Sequence, residues 1–160
     1  MNSLIMDWGK SLIEKYVKDG AKTLDIGSLD VNGSFREFFK GEYIGIDIRE
    51  GKGVDYVMNG NDLDLDDNSI DVVVCMNMLE HDLYFWKTVS EINRVLKKDG
   101  LLFVSVPTIK FPLHDHPSDY YRFTEEALRC FVFDGYDIID LTGVLTKGVN
   151  PVINVLGRKK

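Results

Sequence analysis

The stretch LDIGSLDVNG, residues 24–33, decides how the rest of the chain is read. An apolar run ends in Asp25-Ile26-Gly27, passes through small and polar residues, and reaches a second glycine at Gly33 that opens a helical segment. A strand followed by so bare a turn puts backbone at the C-terminal edge of a sheet, where open α/β folds bind ligands. Twenty-two residues beyond Asp25, the run Tyr43-Ile44-Gly45-Ile46-Asp47 closes a second strand on a carboxylate, a spacing suited to the hydroxyls of a ribose. Together the two features point to a ligand that carries adenosine.

Outward from this turn, strand-length apolar runs recur at 23–26, 43–48, 54–58, 70–76 and 101–106. Helical spacing fills two of the gaps. Phe35, Phe38 and Phe39 share a face over 34–39, and Trp86, Val89, Ile92 and Leu96 are in register over 83–97, with Asp99-Gly100 as the stop. Strands alternating with helices predict a parallel sheet. The polar, aspartate-rich segment 59–69 is expected to be a loop. Thr124 is placed to cap a helix with Glu125 and Glu126 in its first turn and Leu128, Phe131 and Val132 on its apolar side. Residues 136–144 and 152–156 are the two closing strands, and the short loop between them permits only an antiparallel hairpin. The expected fold is therefore α/β: a doubly wound, mostly parallel seven-stranded sheet with the last strand antiparallel. Residues 1–160 are read as a single domain, beginning with an amphipathic helix over 1–20 built on Leu4, Ile5, Trp8, Leu12, Ile13, Tyr16 and Val17.

Composition narrows the partners. The 160 residues carry a formal net charge of −7, and residues 53–86 hold eight acids without one Lys or Arg. Such a face repels phosphate-rich partners, so nucleic acid is disfavoured. Charged residues interrupt the first 20 positions, which argues against a signal peptide or a membrane span and for a cytoplasmic protein. Cys75 and Cys130 lie in apolar runs without CxxC spacing and are expected to be buried thiols. Trp8 and Trp86, like the phenylalanine stripe, are expected in the core. No metal site is expected. His114-Asp115-His116 lacks supporting ligands elsewhere, and the alternating acids from Asp62 have Asp67 and Val73 where a calcium loop needs Gly and Glu.

Two adenosyl cofactors compete for the glycine turn. The spacing Gly27 to Gly33 is not GxGxxG, so it reproduces a dinucleotide's pyrophosphate turn poorly, and an acidic rim attracts the net positive charge of S-adenosylmethionine. At this point the chain resembles the class I S-adenosylmethionine-dependent methyltransferases, specifically the small type-11 methyltransferase domain. The likeness rests on LDIGSLDVNGSF (24–35), YIGIDIREGKGVD (43–55), NGNDLDLDDNSIDVVVCMNMLEH (59–81), EINRVLKKDGLLFVSVP (91–107) and HDHPSDYYRFT (114–124), in that order. It implies that Asp25 and Gly27 line the methionine end of the cofactor and that Asp47 binds the ribose hydroxyls, with Ser28, Leu29, Gly33 and Ile48 also among the cofactor-binding residues. It further implies that Asn59, Gly60 and Asp62 meet the adenine, and that Asn77, Met78 and Leu79, with Glu80, pass under the sulfonium. Leu29 replaces a glycine and Asn59 an aspartate common in the family.

Methyl transfer needs alignment above all, since the leaving group is built into the cofactor; a base helps only where the acceptor is a hydroxyl. The segment FPLHDHPSDYYRFT supplies the candidates His114, His116 and Tyr121, with Arg122 as a possible orienter; the plainer reading is that Asp119 and Arg122 pair to fix the loop. His81 is read as bonding to a neighbouring loop. The reading is thus an S-adenosylmethionine-dependent enzyme, releasing S-adenosylhomocysteine, that acts on a small-molecule acceptor, with room for a homodimer and no membrane partner. A non-catalytic S-adenosylmethionine-binding module and an NAD-type oxidoreductase domain are the alternatives.

Overall fold

The computed structural model describes residues 3–31, 33–115, 117–146 and 149–160, with backbone alone over 144–146 and 149–151. Its elements run α1 (Ser3–Tyr16), β1 (Thr23–Ile26), β2 (Tyr43–Asp47), β3 (Tyr56–Val57), β4 (Ile70–Met76), α2 (Phe85–Val95), β5 (Leu96–Pro107), α3 (Glu125–Ala127), β6 (Tyr136–Thr146) and β7 (Val149–Lys159). The strands form one seven-stranded sheet in the order β3-β2-β1-β4-β5-β7-β6. The first five are parallel, and β7 runs antiparallel between β5 and β6. This is the expected architecture. Among the described residues, no helix is long and apolar enough to cross a membrane.

Both faces of the sheet are covered, which is why β4 reads as a continuous apolar run rather than an alternating one. Val73 and Cys75 face a core shared with Val89, Ile92 and Val95 of α2 and with Leu128 and Val132. Val72, Val74 and Met76 face the opposite core, where Ile5 and Ile13 of α1 meet Phe35 and Phe103. Trp8 crosses that second face half-buried, edge-on to Phe103 at 5.9 Å, and its indole N–H donates to Asp140 at 2.8 Å.

Several elements differ from expectation for identifiable reasons. The helix expected over 34–39 is a single 3₁₀ turn, Arg36–Phe38, because Arg36 is drawn to the Gly53 carbonyl (3.0 Å) and Asp55 (2.5 Å). The loop 48–55 makes a parallel return between β2 and β3 although it is short. Pairing is confined to Ile46–Tyr56 and Asp47–Val57, so the chain retreats by only two residues. The expected loop 59–69 is one, and α2 holds it. Arg94, anchored on Glu91, donates to the Leu63 and Leu65 carbonyls at 2.8 and 2.7 Å, and Leu63 is buried beneath. Helix α2 stops at Val95 and β5 begins directly at Leu96; Asp99, at φ 63°, bends the strand's start instead of capping the helix.

Thr124 does cap α3, accepting from the Ala127 N–H at 3.1 Å. The helix then widens into a π turn over Leu128–Val132, closed by the Phe133 N–H on the Leu128 carbonyl at 2.8 Å. That wider turn rotates Phe131 and Cys130 outward and brings Phe133 in, so Cys130 is an exposed thiol and only Cys75 is buried. Trp86 is also exposed, against expectation; it stacks edge-on with Tyr84 and Phe85 at the start of α2.

Gly9 sits where α1 crosses Phe35: a Cβ there would lie 2.2 Å from the buried ring. Helix propensity favours alanine by about 1 kcal/mol, but overpacking costs about 1–3 kcal/mol. Gly9→Ala is therefore expected to lower the melting temperature, and Phe35→Leu in the same chain to recover part of the loss, as measured by thermal unfolding.

Candidate functional site

The reversal after β1 is fixed by one acceptor. The Ile46 carbonyl at the end of β2 receives the Gly27 N–H at 2.9 Å and the Ser28 N–H at 3.0 Å. Gly27 takes φ 82°, and a Cβ on it would meet Met78 at 2.6 Å, so this position combines a left-handed backbone with no room for a side chain. Asp30 ties the far side of the loop, accepting from the Gly33 N–H (2.8 Å) and pairing with Lys52 (2.7 Å). Leu29 leans onto Gly51, where a Cβ would be 2.2 Å from its Cδ1, and so does not plug the corner.

A cavity of about 880 Å³ opens over this turn, within the size range of ligand sites. One half is walled by Asp25, Gly27, Ser28, Asp47 and Asn59-Gly60. The Asp47 carboxylate accepts from the Arg49 N–H at 3.1 Å and more distantly from the Leu29 N–H at 3.4 Å, which orients it across the cleft. Asp25 is nearly buried, and burial pushes its carboxyl up to about 6 despite the Tyr43 hydroxyl donating to it at 2.7 Å. The buried Ser28 hydroxyl has no hydrogen-bond partner among the described residues. Gly60 lies against Ile26 and Thr88, and Thr88 donates to Asp82 at 2.6 Å beside Asn61. Asn59 accepts the Asn61 N–H at 2.9 Å through its own side chain.

The sequence-derived cofactor residues sort clearly. Asp25, Gly27, Ser28, Leu29, Gly33, Asp47, Ile48, Asn59, Gly60, Asn77 and Met78 all line this one cavity. Asp62 and Leu79 do not: the Asp62 N–H closes a turn on the Asn59 carbonyl, and Leu79 is buried in the core. Asn77, at φ 50°, turns the chain out of β4 and is steadied by Ser105.

The other half of the cavity is walled by Glu80, His81, Phe111, His114 and Tyr120. Glu80 has no exposed surface, and neither carboxylate oxygen has a hydrogen-bond partner among the described residues. His114 Nε2 lies 3.6 Å and His81 Nε2 3.8 Å from Glu80 Oε1. The Glu80 carboxylate facing His114 raises that imidazole above its ordinary range. His81 bonds through Nδ1 to the Ser118 carbonyl at 2.6 Å, as expected of a residue that fixes a loop. Tyr121 turns away from the cavity: its hydroxyl donates to the Leu83 carbonyl at 2.8 Å and its ring packs on Phe85. His116 lies outside the described residues.

The loop carrying His114 is locked by Arg122. Its guanidinium grips both oxygens of Asp119 at 2.5 Å and also donates to the Phe111 and Pro112 carbonyls. Asp119 in turn accepts the His114 N–H at 2.7 Å, and the guanidinium holds its carboxyl far below the usual carboxylate range. The resemblance places Glu80 beside the sulfonium, but its burial and its approach to His114, 34 positions further on, are not visible in the sequence.

A family model described as "Methyltransferase domain" matches residues 24–104, half of the chain. The chain belongs to this methyltransferase family. Its cofactor is S-adenosylmethionine, and the dinucleotide alternative falls away. The methyltransferase is similar in fold to a Burkholderia thailandensis 1,6-didemethyltoxoflavin-N1-methyltransferase with bound 1,6-didemethyltoxoflavin and S-adenosylhomocysteine, at 19% identity and a TM-score of 0.76, covering 97% of this chain and 78% of that one. It is also similar to a SAM-dependent methyltransferase from Aquifex aeolicus, at 18% identity and a TM-score of 0.68, covering 95% and 89%. An uncharacterized protein of Methanocaldococcus jannaschii is 33% identical over 75 residues, 46% of this chain. The chain's match spans about a third of that relative's length.

Asp119→Asn removes the charge that Arg122 and the His114 loop share. Breaking such a buried pair costs about 3–5 kcal/mol, so the variant is expected to melt earlier and to exchange the Tyr120 amide, which donates to Glu80 at 2.8 Å, faster by NMR. Because the Asp119 carboxyl titrates far below its unfolded value, the wild-type stabilisation holds at neutral pH and is lost only as pH falls into strong acid.

Proposed function

We propose that this protein transfers the methyl group of S-adenosylmethionine to a small-molecule acceptor held against the Glu80–His81–His114 wall. The observation that carries the reading is the continuity of the cavity: one space joins the Gly27–Asp47 cleft to that wall. Its volume suits a cofactor and a compact acceptor rather than a folded macromolecule. The 1,6-didemethyltoxoflavin-N1-methyltransferase of similar fold, with bound 1,6-didemethyltoxoflavin and S-adenosylhomocysteine, supports a small acceptor here.

In this reading the Asp47 carboxylate holds the ribose hydroxyls. Asn59, Gly60 and Asn61 border the base, and Asp25 with the unpartnered Ser28 hydroxyl takes the amino-acid end. The cofactor supplies an electrophilic methyl group on a sulfonium. The chain's own work is to hold the acceptor in line, to keep water out with Met78, Phe111 and Tyr120, and to receive a proton where the acceptor is a hydroxyl. Glu80, with His81 and His114 beside it, faces the cavity at that place. Tyr121, with its hydroxyl on the Leu83 carbonyl, supports the loop from behind.

Asp47→Ala is expected to weaken S-adenosylhomocysteine binding by about 1–3 kcal/mol, the worth of hydrogen bonds to a charged group; calorimetry showing unchanged affinity would remove the ribose assignment. A pH dependence follows from Asp25. Free, it is protonated below about 6; a bound ammonium favours its ionised form, so binding releases a proton and affinity should rise as pH increases through that value. Asp25→Asn should flatten the profile. The enzymatic test is methyl transfer from labelled S-adenosylmethionine to a panel of small hydroxyl, amine and thiol acceptors, with no product on any of them as the contrary result.

A further inference from the structure

The wall opposite the glycine turn contains a buried carboxylate that accepts no hydrogen bond among the described residues. Glu80 has both oxygens without a hydrogen-bond partner and no exposed surface, yet it borders the cavity. Leaving such a group uncompensated is costly, and native proteins pair it or give it to a metal. Its two neighbours are arranged in a particular way. His81 engages the Ser118 carbonyl through Nδ1, which must be the protonated nitrogen because a carbonyl only accepts. In the neutral ring the lone pair then lies on Nε2, the atom 3.8 Å from Glu80. His114 differs behind the ring: its Nδ1 lies 3.3 Å from the Asp119 carboxylate without a hydrogen bond, while its Nε2 is turned to Glu80 at 3.6 Å. Asp119 is itself immobilised by Arg122.

A carbonyl or carboxylate behind the far nitrogen of each imidazole is how proteins orient metal-binding histidines. The ligating atoms of Glu80, His81 and His114 lie within 4.8 Å of one another. Ligands about 2.1 Å from one ion stand about 3 to 3.4 Å apart when adjacent, so the two Glu80–imidazole separations of 3.6 and 3.8 Å need to contract by a few tenths of an ångström, and the wider separation in the cluster, up to 4.8 Å, by roughly an ångström or more through a turn of the imidazoles.

We propose that Glu80, His81 and His114 form a binding site for one divalent transition-metal ion on the acceptor side of the cavity. Two imidazoles and one carboxylate select a first-row ion such as zinc, cobalt, iron or manganese over magnesium or calcium, which take all-oxygen sets. Three ligands from one side leave coordination positions open toward the cavity. An acceptor bearing a hydroxyl can occupy one of them and then releases its proton to solvent water more readily, in place of direct transfer to these side chains. That last role rests on the methyl-transfer reading; the metal site itself does not.

The test is titration of metal-free protein with Co²⁺, followed by visible absorption and calorimetry. A single site with d–d bands is expected, insensitive to excess Mg²⁺. His114→Ala and Glu80→Gln should each weaken Co²⁺ by more than about 100-fold, beyond the loss typical of outer-shell changes, and His81→Ala should do the same should Glu80→Gln fold poorly by circular dichroism. Wild-type protein without saturable Co²⁺ binding, or folded variants that bind as tightly as wild type, would overturn the site. S-adenosylhomocysteine binding to the same metal-free preparation is measured in parallel: binding there with no Co²⁺ site sinks only the metal proposal, and loss of both sinks the methyl-transfer reading as well.

Discussion

The Ile46 carbonyl is the hinge of this structure. By accepting both the Gly27 and the Ser28 amides it forces the chain leaving β1 to turn sharply across the end of β2. The parallel pairing of β1 with β2 then sets Asp25 level with Gly45 and leaves Asp47 one step beyond the last paired residue, Ile46. The carboxylate of one strand and the bare turn of the other thus come to the same edge without any long-range adjustment. Gly27 is the only kind of residue that suits this bend, since a left-handed backbone and the Met78 side chain both exclude a Cβ.

Around that edge the protein spends little material. Between β1 and β2 there is a 3₁₀ turn in place of a full helix, and between β2 and β3 a loop stapled by Arg36, Asp55 and Gly45. Charged side chains thus hold the side of the cavity at β1 and β2, where helices are sparse. The side at Glu80 is held differently: Arg122 and Asp119 form a rigid frame behind His114, and the Glu80 carbonyl anchors the loop through the Tyr120 and Tyr121 amides. One residue, Glu80, therefore contributes its backbone to the frame and its side chain to the cavity.

What could be read from sequence was local. The strand-turn at 24–33, the acid at Asp47 and the hairpin logic of β6 and β7 are set by spacing within a few residues, and these carried over to the fold. The pairing of Asp119 with Arg122 is three residues apart and was visible for the same reason. Elements that depend on distant partners were not legible. The π turn after α3 exposes Cys130 because Phe133 has to reach the core, and the helix over 34–39 shrinks because Arg36 has a better partner at Asp55. Glu80 reads in sequence as one acid among eight in a lysine-free stretch; only folding shows that it is buried opposite two imidazoles.

The placement of β7 has a consequence for how the molecule is made. Strand β6 joins the sheet only through β7, whose other edge is paired with β5. During synthesis β6 emerges with no docking edge of its own and waits until the strand after it arrives to bridge the gap. The five parallel strands can assemble meanwhile, leaving the open edge of β5 as the surface most prone to pairing with the wrong neighbour.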